Sequence, residues 1–404
     1  MDYPPIKAAN NKAAHSTLPA ANVGYVSEVD ALRCVAMTAV VAQHSGLTDL
    51  ARLGWAGVWL FYVISGFAIT SSLLASDGML HPKSFLLRNF YARRCLRIWP
   101  VYFLIVAPTL IAAAIAGHSD VLVRGPWLLT FTYNYFNMFH FGSWYSSWNW
   151  FGHLWTVSVE QQFYLVFPFL FAFLSRRQLV AALWICIAMS PVLRALLTLW
   201  LNHLPWADDE FKFATVYLFA PAHFDAFAAG SLLALFRPFL AGRLYLARVF
   251  LAVALGAAAV YTCVYLGISL ATLGFQRAAF DGVIFGTMWG QGRQIWIYSV
   301  VVALASTLIM LILAGEGWLL RVCRLPLLRP IGRISYGAYV YHLPVLYLHD
   351  LLWPHTGAEP MYTVHHLTYQ LGKFGFGYLV TLLIAFLSFR FMEEPILRLR
   401  ARFS

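Results

Sequence analysis

Apolar residues form long, nearly unbroken runs along this chain, and short polar segments separate the runs. Most runs approach the roughly 20 residues that an apolar helix needs to cross a bilayer. Ten runs are present, at about 29–45, 54–75, 98–117, 152–174, 178–200, 213–236, 247–270, 294–315, 334–353 and 374–393. The pattern predicts an all-α integral membrane protein with about ten transmembrane helices.

The polar segments predict the remaining organisation. Residues 1–25 lack the charged-then-apolar pattern of a cleaved signal peptide and are expected to form a disordered cytoplasmic tail. The membrane domain is expected over 26–395, and a short basic cytoplasmic tail over 396–404. Segment 125–150 is rich in aromatic residues but broken by polar ones, which predicts an interfacial or re-entrant loop. The stretch 271–293 fits either a loop or a membrane segment.

Composition and charge agree with this class. The 404 residues are 61% hydrophobic and 11% charged, and the mean hydropathy of +0.68 excludes a soluble globular domain. The net charge is +11, but Lys and Arg cluster at the ends of apolar runs, so no nucleic-acid partner is expected. With the N-terminus inside, 19 Lys and Arg lie on the cytoplasmic side, six outside and three within spans. The positive-inside rule therefore predicts a multi-pass cell-membrane protein, embedded in lipid, with both termini cytoplasmic.

Several kinds of site are excluded by motif. The five cysteines include no CxxC pair, so neither a zinc site nor a disulfide framework is expected. The sequence contains no Walker A, GxGxxG or HExxH motif. We therefore expect no metal, no permanently bound cofactor and no ATP-driven transport.

The first run carries two costly polar residues, Arg33 and His44. A charged side chain at mid-bilayer costs roughly 2.5–3.5 kcal/mol and must face protein or water. The two residues are eleven positions apart, so they share one helix face and lie about 16 Å apart along the axis. Arg33 is expected in the cytoplasmic half, within reach of Asp30, and His44 in the outer half. The alternative is a snorkelling Arg33 and an interfacial His44.

A polar stripe crosses the run "HLWTVSVEQQFYLVFPF", where His153, Thr156, Glu160 and Tyr164 follow one another at three- and four-residue steps. Glu160 is expected at about the depth of His44. A carboxylate there could orient the imidazole and support its action as a general base. The alternative is a protonated Glu160 that holds helices together.

Two later runs also contain polar residues. Asp225 of "APAHFDAFAAG" falls near the midplane, where it either meets substrate or forms a structural ion pair with Arg194. In "SYGAYVYHLP", Ser335, Tyr339 and His342 fall on one side of a helix. For His342, a packing role is the alternative to a functional one.

The basic segment 81–102 is predicted to be a cytoplasmic loop. Its arginines, Arg93, Arg94 and Arg97, stand beside Tyr and Trp. Such a set suits a polyphosphate headgroup such as a nucleotide or coenzyme A. The alternative is that these charges only set the topology.

Six strings, in order along the chain, together resemble the acyltransferase-3 family. "VDALRCVAMTAVVAQH" is similar to the family's Arg-x(10)-His helix, although Cys34 stands where the family usually has glycine. "GVWLFYVISGFAIT", which contains Ser65, resembles the Phe-Phe-x-Ile-Ser-Gly segment. "RRCLRIWPVY" matches Arg-x-x-Arg-Ile-x-Pro-x-Tyr, and "LWTVSVEQQFY" is similar to Trp-Ser-Leu-x-x-Glu-x-Gln-Phe-Tyr. "HFDAFAAG" and "SYGAYVYHLP" resemble later family elements.

The resemblance implies a membrane O-acyltransferase. The donor would be an acyl-CoA, with acetyl-CoA the expected co-substrate, and the acceptor a hydroxyl of an extracytoplasmic or lipid-linked glycan. His44 would act as general base, or carry the acyl group itself, with Glu160 orienting it. The CoA phosphates would be held by Arg33, Arg93, Arg94 and Arg97. An oxyanion or substrate contact would come from Tyr336, Tyr339, His342, Asp225 or Ser65.

Many members of the family continue into an extracytoplasmic SGNH hydrolase-like domain. Because the sequence ends at Ser404, soon after the last run, we expect a stand-alone membrane form that uses a separate extracytoplasmic partner or none. Two other classes remain open. One is a secondary transporter of a sugar or lipid-linked intermediate, with Asp225, Glu160 and His44 as a proton relay. The other is a non-catalytic assembly subunit.

Overall fold

The helices of the computed structural model follow the apolar runs. The model describes residues 25–47, 53–77, 82–140, 150–276, 279–280, 283, 289–353 and 364–399. Every regular element within these ranges is helical, so the all-α membrane class is confirmed. The predicted tail 1–25, apart from its last residue, and the last five residues of the predicted basic tail lie outside the described residues.

Eighteen helices, labelled α1 to α18 in chain order, make up this described part. They are α1 (Glu28–His44), α2 (Ala56–Asp77), α3 (Lys83–Ala116), α4 (Ser119–Leu122), α5 (Gly125–Leu129), α6 (Tyr133–Phe139), α7 (Trp155–Phe173), α8 (Arg176–Asn202), α9 (Asp209–Leu218), α10 (Phe224–Leu235), α11 (Arg237–Leu240), α12 (Leu244–Leu273), α13 (Arg293–Ala314), α14 (Gly317–Cys323), α15 (Leu328–Arg333), α16 (Ser335–Leu352), α17 (Val364–Ser388) and α18 (Glu394–Arg398).

Each of the ten predicted runs falls on a helix, but the count of ten spans is not confirmed. Among the described residues, six helices are long and apolar enough to cross a membrane, and α9 with α10, bent by 69°, would make a seventh. The remaining runs form α1, α7 and α16, which have 17, 19 and 18 residues. The polar residues expected at the site lower the apolar content of these three helices.

The prediction of a loop over 81–102 is wrong. Helix α3 begins at Lys83 and continues for 34 residues through Pro100 and Pro108. Arg, Lys and Leu are good helix formers, and Leu86 and Phe90 of the basic part are buried at a one-turn spacing. The helix therefore extends well before the apolar run, and the three arginines lie on a rigid element.

The two ambiguous segments are partly described. Segment 125–150 contains the short helices α5 and α6, joined through Phe131, whose φ is 55°. The Gln162 side chain holds this join, because its Nε2 donates to the Phe131 carbonyl at 3.0 Å and to Asn134 Oδ1 at 2.8 Å. Residues 141–149 lie outside the described part. Within 271–293, α12 extends to Leu273 and α13 starts at Arg293.

Helices α2 and α10 touch backbone to backbone through two glycines. A Cβ on Gly66 would lie 2.0 Å from the Phe227 carbonyl oxygen, and one on Gly230 would lie 1.9 Å from the Val63 carbonyl oxygen. Small residues allow this close approach between helices in a membrane. The contact fixes α2, which carries Ser65, in the centre of the bundle.

Gly230→Ala is expected to destabilise the fold by about 1–3 kcal/mol, because the added methyl overlaps a backbone oxygen that cannot move aside. Gly256→Ala on α12 is the matched control, since no atom lies within 4 Å of its added Cβ. Thermal unfolding of both variants in detergent measures the difference. Equal unfolding temperatures for the two variants would contradict the close contact.

Asp225 forms a buried ion pair with Arg194, and its contact with substrate stays a prediction. Arg194 Nη1 lies 3.1 Å from Asp225 Oδ2, and both side chains are buried. Arg194 also donates to the Ala222 carbonyl, the Ile295 carbonyl and Ser299 Oγ at 2.6–2.9 Å. The ion pair weighed from the sequence is therefore the interpretation that the structure favours, because a buried carboxylate needs this compensation.

Candidate active site

A basic cavity opens at the end of the bundle where α1 begins. Five arginines of the described chain line it, namely Arg33 of α1, Arg93, Arg94 and Arg97 of α3, and Arg237 of α11. No Asp or Glu lines this cavity in the described part of the chain. The four arginines predicted from the sequence are thus brought together, and the cavity is suited to an anion.

The arginines are held in several ways. Arg33 Nη1 donates to Asp30 Oδ1 at 2.7 Å, the pairing expected from their three-residue spacing. Arg93 Nη2 donates to Ser76 Oγ at 2.9 Å. The Arg94 guanidinium lies over the Tyr164 ring at 5.4 Å, a cation–π distance. These contacts orient the guanidinium groups and leave a positive lining.

An inner cavity adjoins the basic one and shares Arg33, Arg94 and Arg97 with it. It is also lined by polar side chains from three helices, α2, α7 and α16: Ser65, Thr156, Glu160, Tyr164, Ser335, Tyr336 and Tyr339. The structure therefore places seven of the predicted site residues in one cavity: the three arginines together with Ser65, Glu160, Tyr336 and Tyr339.

Hydrogen bonds fix the walls of the inner cavity. Glu160 Oε1 accepts from both the Ser65 hydroxyl and the Tyr164 hydroxyl. Tyr336 donates to the Ile98 carbonyl at 2.9 Å, and Tyr339 bonds Thr156 Oγ1 at 2.7 Å. Thr156 lies about two turns of α7 away from Tyr164, the residue that contacts Arg94, so the Thr156–Tyr339 bond is distant from that arginine. His153 and His342 lie about one turn further from it along their chains.

The expected contact between Glu160 and His44 is wrong, because both residues have other partners. Helix α7 packs against α2 and α3, whereas α1 packs against α2 and α16. Glu160 therefore faces Ser65, and His44 faces His342. Depth alone suggested the pairing, but depth does not specify which neighbouring helix a side chain faces.

His44 and His342 form a hydrogen-bonded pair whose rings are nearly coplanar. His44 Nδ1 lies 2.7 Å from His342 Nε2, and the two rings are 5.0 Å apart with an interplanar angle of 10°. The other ring nitrogen of His342, Nδ1, lies 2.5 Å from the Tyr339 carbonyl oxygen. His342 is fully buried, whereas His44 is exposed at the end of α1. The pair thus presents one accessible imidazole backed by a buried one.

A third histidine, His153, packs against this pair. Its Nε2 lies 3.1 Å from the Val340 carbonyl oxygen, and its ring meets the His342 ring edge-on at 4.7 Å. Pro344 explains why this carbonyl is available, because proline has no N–H to bond the residue four positions earlier. The proline in "SYGAYVYHLP" is therefore the sequence signal for this contact.

The sites expected for a proton relay in a transporter are not joined. Asp225 bonds Arg194, Glu160 bonds Ser65 and Tyr164, and His44 bonds His342. Among the described residues, these are three separate networks. The basic cavity, the inner cavity and the histidine pair instead follow one another. The two cavities share three arginines, and Tyr339 of the inner cavity contacts His342 through its carbonyl oxygen. We call this series the polar column.

The acyltransferase-3 family model, described as "Acyltransferase domain", matches residues 26–390. The chain belongs to this family. It is 26% identical over 388 residues to "Peptidoglycan O-acetyltransferase OatA" of Listeria monocytogenes, a match that covers 92% of this chain and 56% of the relative. It is 25% identical over 392 residues to "O-acetyltransferase OatA" of Staphylococcus aureus, covering 92% and 57%. The chain thus spans about half the length of these relatives, and no solved structure matches it significantly.

The family elements have distinct roles in this structure. Ser65 of the Ile-Ser-Gly segment binds Glu160, while Gly66 beside it contacts α10. Arg94 and Arg97 line both cavities, whereas Tyr102 of the same element is buried and donates to the Leu128 carbonyl at 2.9 Å. One family element therefore combines residues of the cavity with residues of the core.

Two features of the site were missed from the sequence. Arg237 follows an apolar run and resembles an ordinary flanking charge, but α11 turns it into the basic cavity. His153 was assigned to a polar stripe without a partner. Its position just before α7 does not indicate that its ring contacts Val340 and His342 of α16.

Proposed function

We propose that this chain is a membrane O-acyltransferase, and specifically an O-acetyltransferase of the cell membrane. It moves an acyl group from cytoplasmic acyl-CoA to a hydroxyl of an extracytoplasmic or lipid-linked glycan. The observation that carries the proposal is the polar column, with a basic cavity at one end and an accessible histidine at the other. Family membership and the relatives' names support acetyl as the group and a peptidoglycan-like glycan as the acceptor.

The donor half of the reaction uses the basic cavity. Guanidinium groups bind phosphate through paired, charge-assisted hydrogen bonds, which suits the phosphates of CoA. Arg33, Arg94 and Arg97 line both cavities, so a donor whose phosphates they hold can extend its pantetheine arm into the inner cavity. The thioester then lies among the hydroxyl groups held by Glu160.

The acceptor half uses His44. The imidazole removes the proton from the acceptor hydroxyl as its oxygen attacks the acyl carbonyl carbon. The C–S bond then breaks, and the proton passes from His44 to the CoA thiolate. Tyr339 exchanges its bond to Thr156 for one to the developing oxyanion. General-base catalysis of this kind contributes about 10²–10⁴ in rate.

The activity is tested directly with purified protein, acetyl-labelled acetyl-CoA and lipid-linked peptidoglycan precursor as acceptor. We expect label in the glycan as an alkali-labile ester. The control uses the same reaction without the glycan. Label that never enters the glycan, under conditions in which acetyl-CoA binds, would refute the proposed function.

Arg93→Gln and Arg97→Gln are each expected to weaken acetyl-CoA binding about 10- to 100-fold, because each removes hydrogen bonds to a charged group worth roughly 1.5–3 kcal/mol. Arg88→Gln is the matched control, since Arg88 lies on the same helix but outside both cavities. Calorimetric titration measures the affinity.

A second ligand separates phosphate binding from general damage. S-acetylpantetheine lacks the phosphates, so its affinity should be the same for the wild type and for all three variants. Equal loss of acetyl-CoA binding in Arg88→Gln, or loss of S-acetylpantetheine binding in Arg97→Gln, would contradict the assignment.

A further inference from the structure

The protonation pattern of the histidine pair follows from its hydrogen bonds. The Tyr339 carbonyl only accepts, so the His342 nitrogen that lies 2.5 Å from it, Nδ1, carries a hydrogen. In a neutral imidazole the other nitrogen is then a bare acceptor. His342 Nε2 must therefore accept the bond from His44 Nδ1 at 2.7 Å. By the same reasoning His44 carries its hydrogen on Nδ1, and its Nε2 keeps a free lone pair.

We propose that His342 is a positioning residue, which fixes the tautomer and the ring orientation of His44 so that Nε2 is the base. This inference rests on the proposed function, because it assigns a role within the same reaction. A general base works only when the nitrogen that faces the substrate is unprotonated. The buried His342 supplies the partner that selects this form, the task that a third group performs in other catalytic constellations.

The fold holds His342 in one position. Its ring lies nearly coplanar with the His44 ring, to which it is hydrogen-bonded, and the ring of His153, in the turn just before α7, packs against it edge-on. His153 in turn is held by the carbonyl of Val340 on α16, the residue after Tyr339, whose carbonyl fixes His342. His44, His153 and Tyr339 are the titratable groups in contact with this ring.

A neutral partner suits this location in a membrane protein. When His44 Nε2 takes the acceptor proton, the ring becomes an imidazolium, and its Nδ1–H bond to His342 becomes charge-assisted. A carboxylate in place of His342 would stabilise that cation more strongly, but it would remain as a buried charge between turnovers. The second imidazole avoids this cost. The proton then leaves from His44 Nε2 to the thiolate, so His342 ends each cycle unchanged.

The test compares three replacements of His342 in the purified full chain. His342→Gln places an amide oxygen at about the position of Nε2, so it can still accept from His44. His342→Asn is equally polar but one methylene shorter, and His342→Leu removes the acceptor. We expect kcat to fall about 100-fold or more in the Asn and Leu variants, and less than about tenfold in the Gln variant, with KM for acetyl-CoA unchanged in all three.

Two controls separate positioning from folding. His349→Gln, two turns further along the same helix, should leave kcat unchanged. If His342→Leu does not fold, the comparison of Gln with Asn decides the matter, with thermal unfolding measured for both. Equal kcat in Gln and Asn, or full activity in Leu, would overturn the positioning role while wild-type transfer still supports the proposed function. No transfer by the wild type would refute both.

Discussion

Replacing His44 with alanine is expected to lower acyl transfer by about 10²–10⁴-fold, because the acceptor hydroxyl loses its general base. Acetyl-CoA binding should change by less than about twofold, since His44 lines neither cavity. The loss should therefore appear in kcat and not in the KM for the donor. Steady-state transfer of labelled acetyl to the glycan measures both constants.

His118→Ala is the matched control for His44→Ala. His118 is a partly exposed histidine just after α3, and it lies far along the chain from the polar column. We expect wild-type kinetics from this variant. If His44→Ala kept full activity, the general-base role would be refuted, and so would the role proposed for His342.

Asp225→Ala is expected to lower the free energy of unfolding by about 3–5 kcal/mol, because it leaves the Arg194 charge buried without its carboxylate. The three remaining acceptor contacts of Arg194, two backbone carbonyls and the Ser299 hydroxyl, carry no charge and cannot neutralise the guanidinium. Unfolding in detergent by a graded denaturant measures the loss. Asp120→Ala provides the control, since Asp120 is half-exposed on the short helix α4.

The double variant Asp225→Leu with Arg194→Leu tests the cause. Removing both charges should recover most of the lost stability, because an apolar pair needs no compensation in this setting. A double variant as unstable as Asp225→Ala would show that packing, and not the unpaired charge, accounts for the loss. Substrate contact by Asp225 would instead appear as a kinetic defect in a stable single variant.

Much of the donor end was predictable from local sequence. Arg33 and Asp30 are three residues apart on one helix, so their pairing follows from helix geometry alone. Arg93, Arg94 and Arg97 were identified by their clustering, although the sequence suggested a loop. The loop prediction failed because hydropathy marks where a span ends, whereas good helix formers continue the helix beyond it.

The histidine end depended on contacts between distant segments. His44 and His342 are 298 positions apart, and neither residue's own helix indicates the other as partner. From the sequence alone, a packing role for His342 is as well supported as a functional one, and the estimated depths pair His44 with Glu160. Only the packing of α1 against α16, and of α7 against α2 and α3, decides between these partners.

The weak hydropathy signal of three helices has a related explanation. Helices α1, α7 and α16 carry Arg33, His44, Glu160 and His342, which lower their apolar content. Hydropathy therefore detects these three helices least clearly, although it does detect α2 and α3, which also line the cavities. Polar residues that lower the hydropathy of a predicted membrane span therefore help to locate the functional site.

The central claim is that donor and acceptor reach the polar column from opposite sides of the membrane. The most direct test uses proteoliposomes with the protein in one orientation, labelled acetyl-CoA on one side and the glycan acceptor on the other. The account predicts transfer when acetyl-CoA is on the side of the basic cavity and the acceptor on the side of His44, and no transfer with His44→Ala. Transfer that required acetyl-CoA on the His44 side would contradict it.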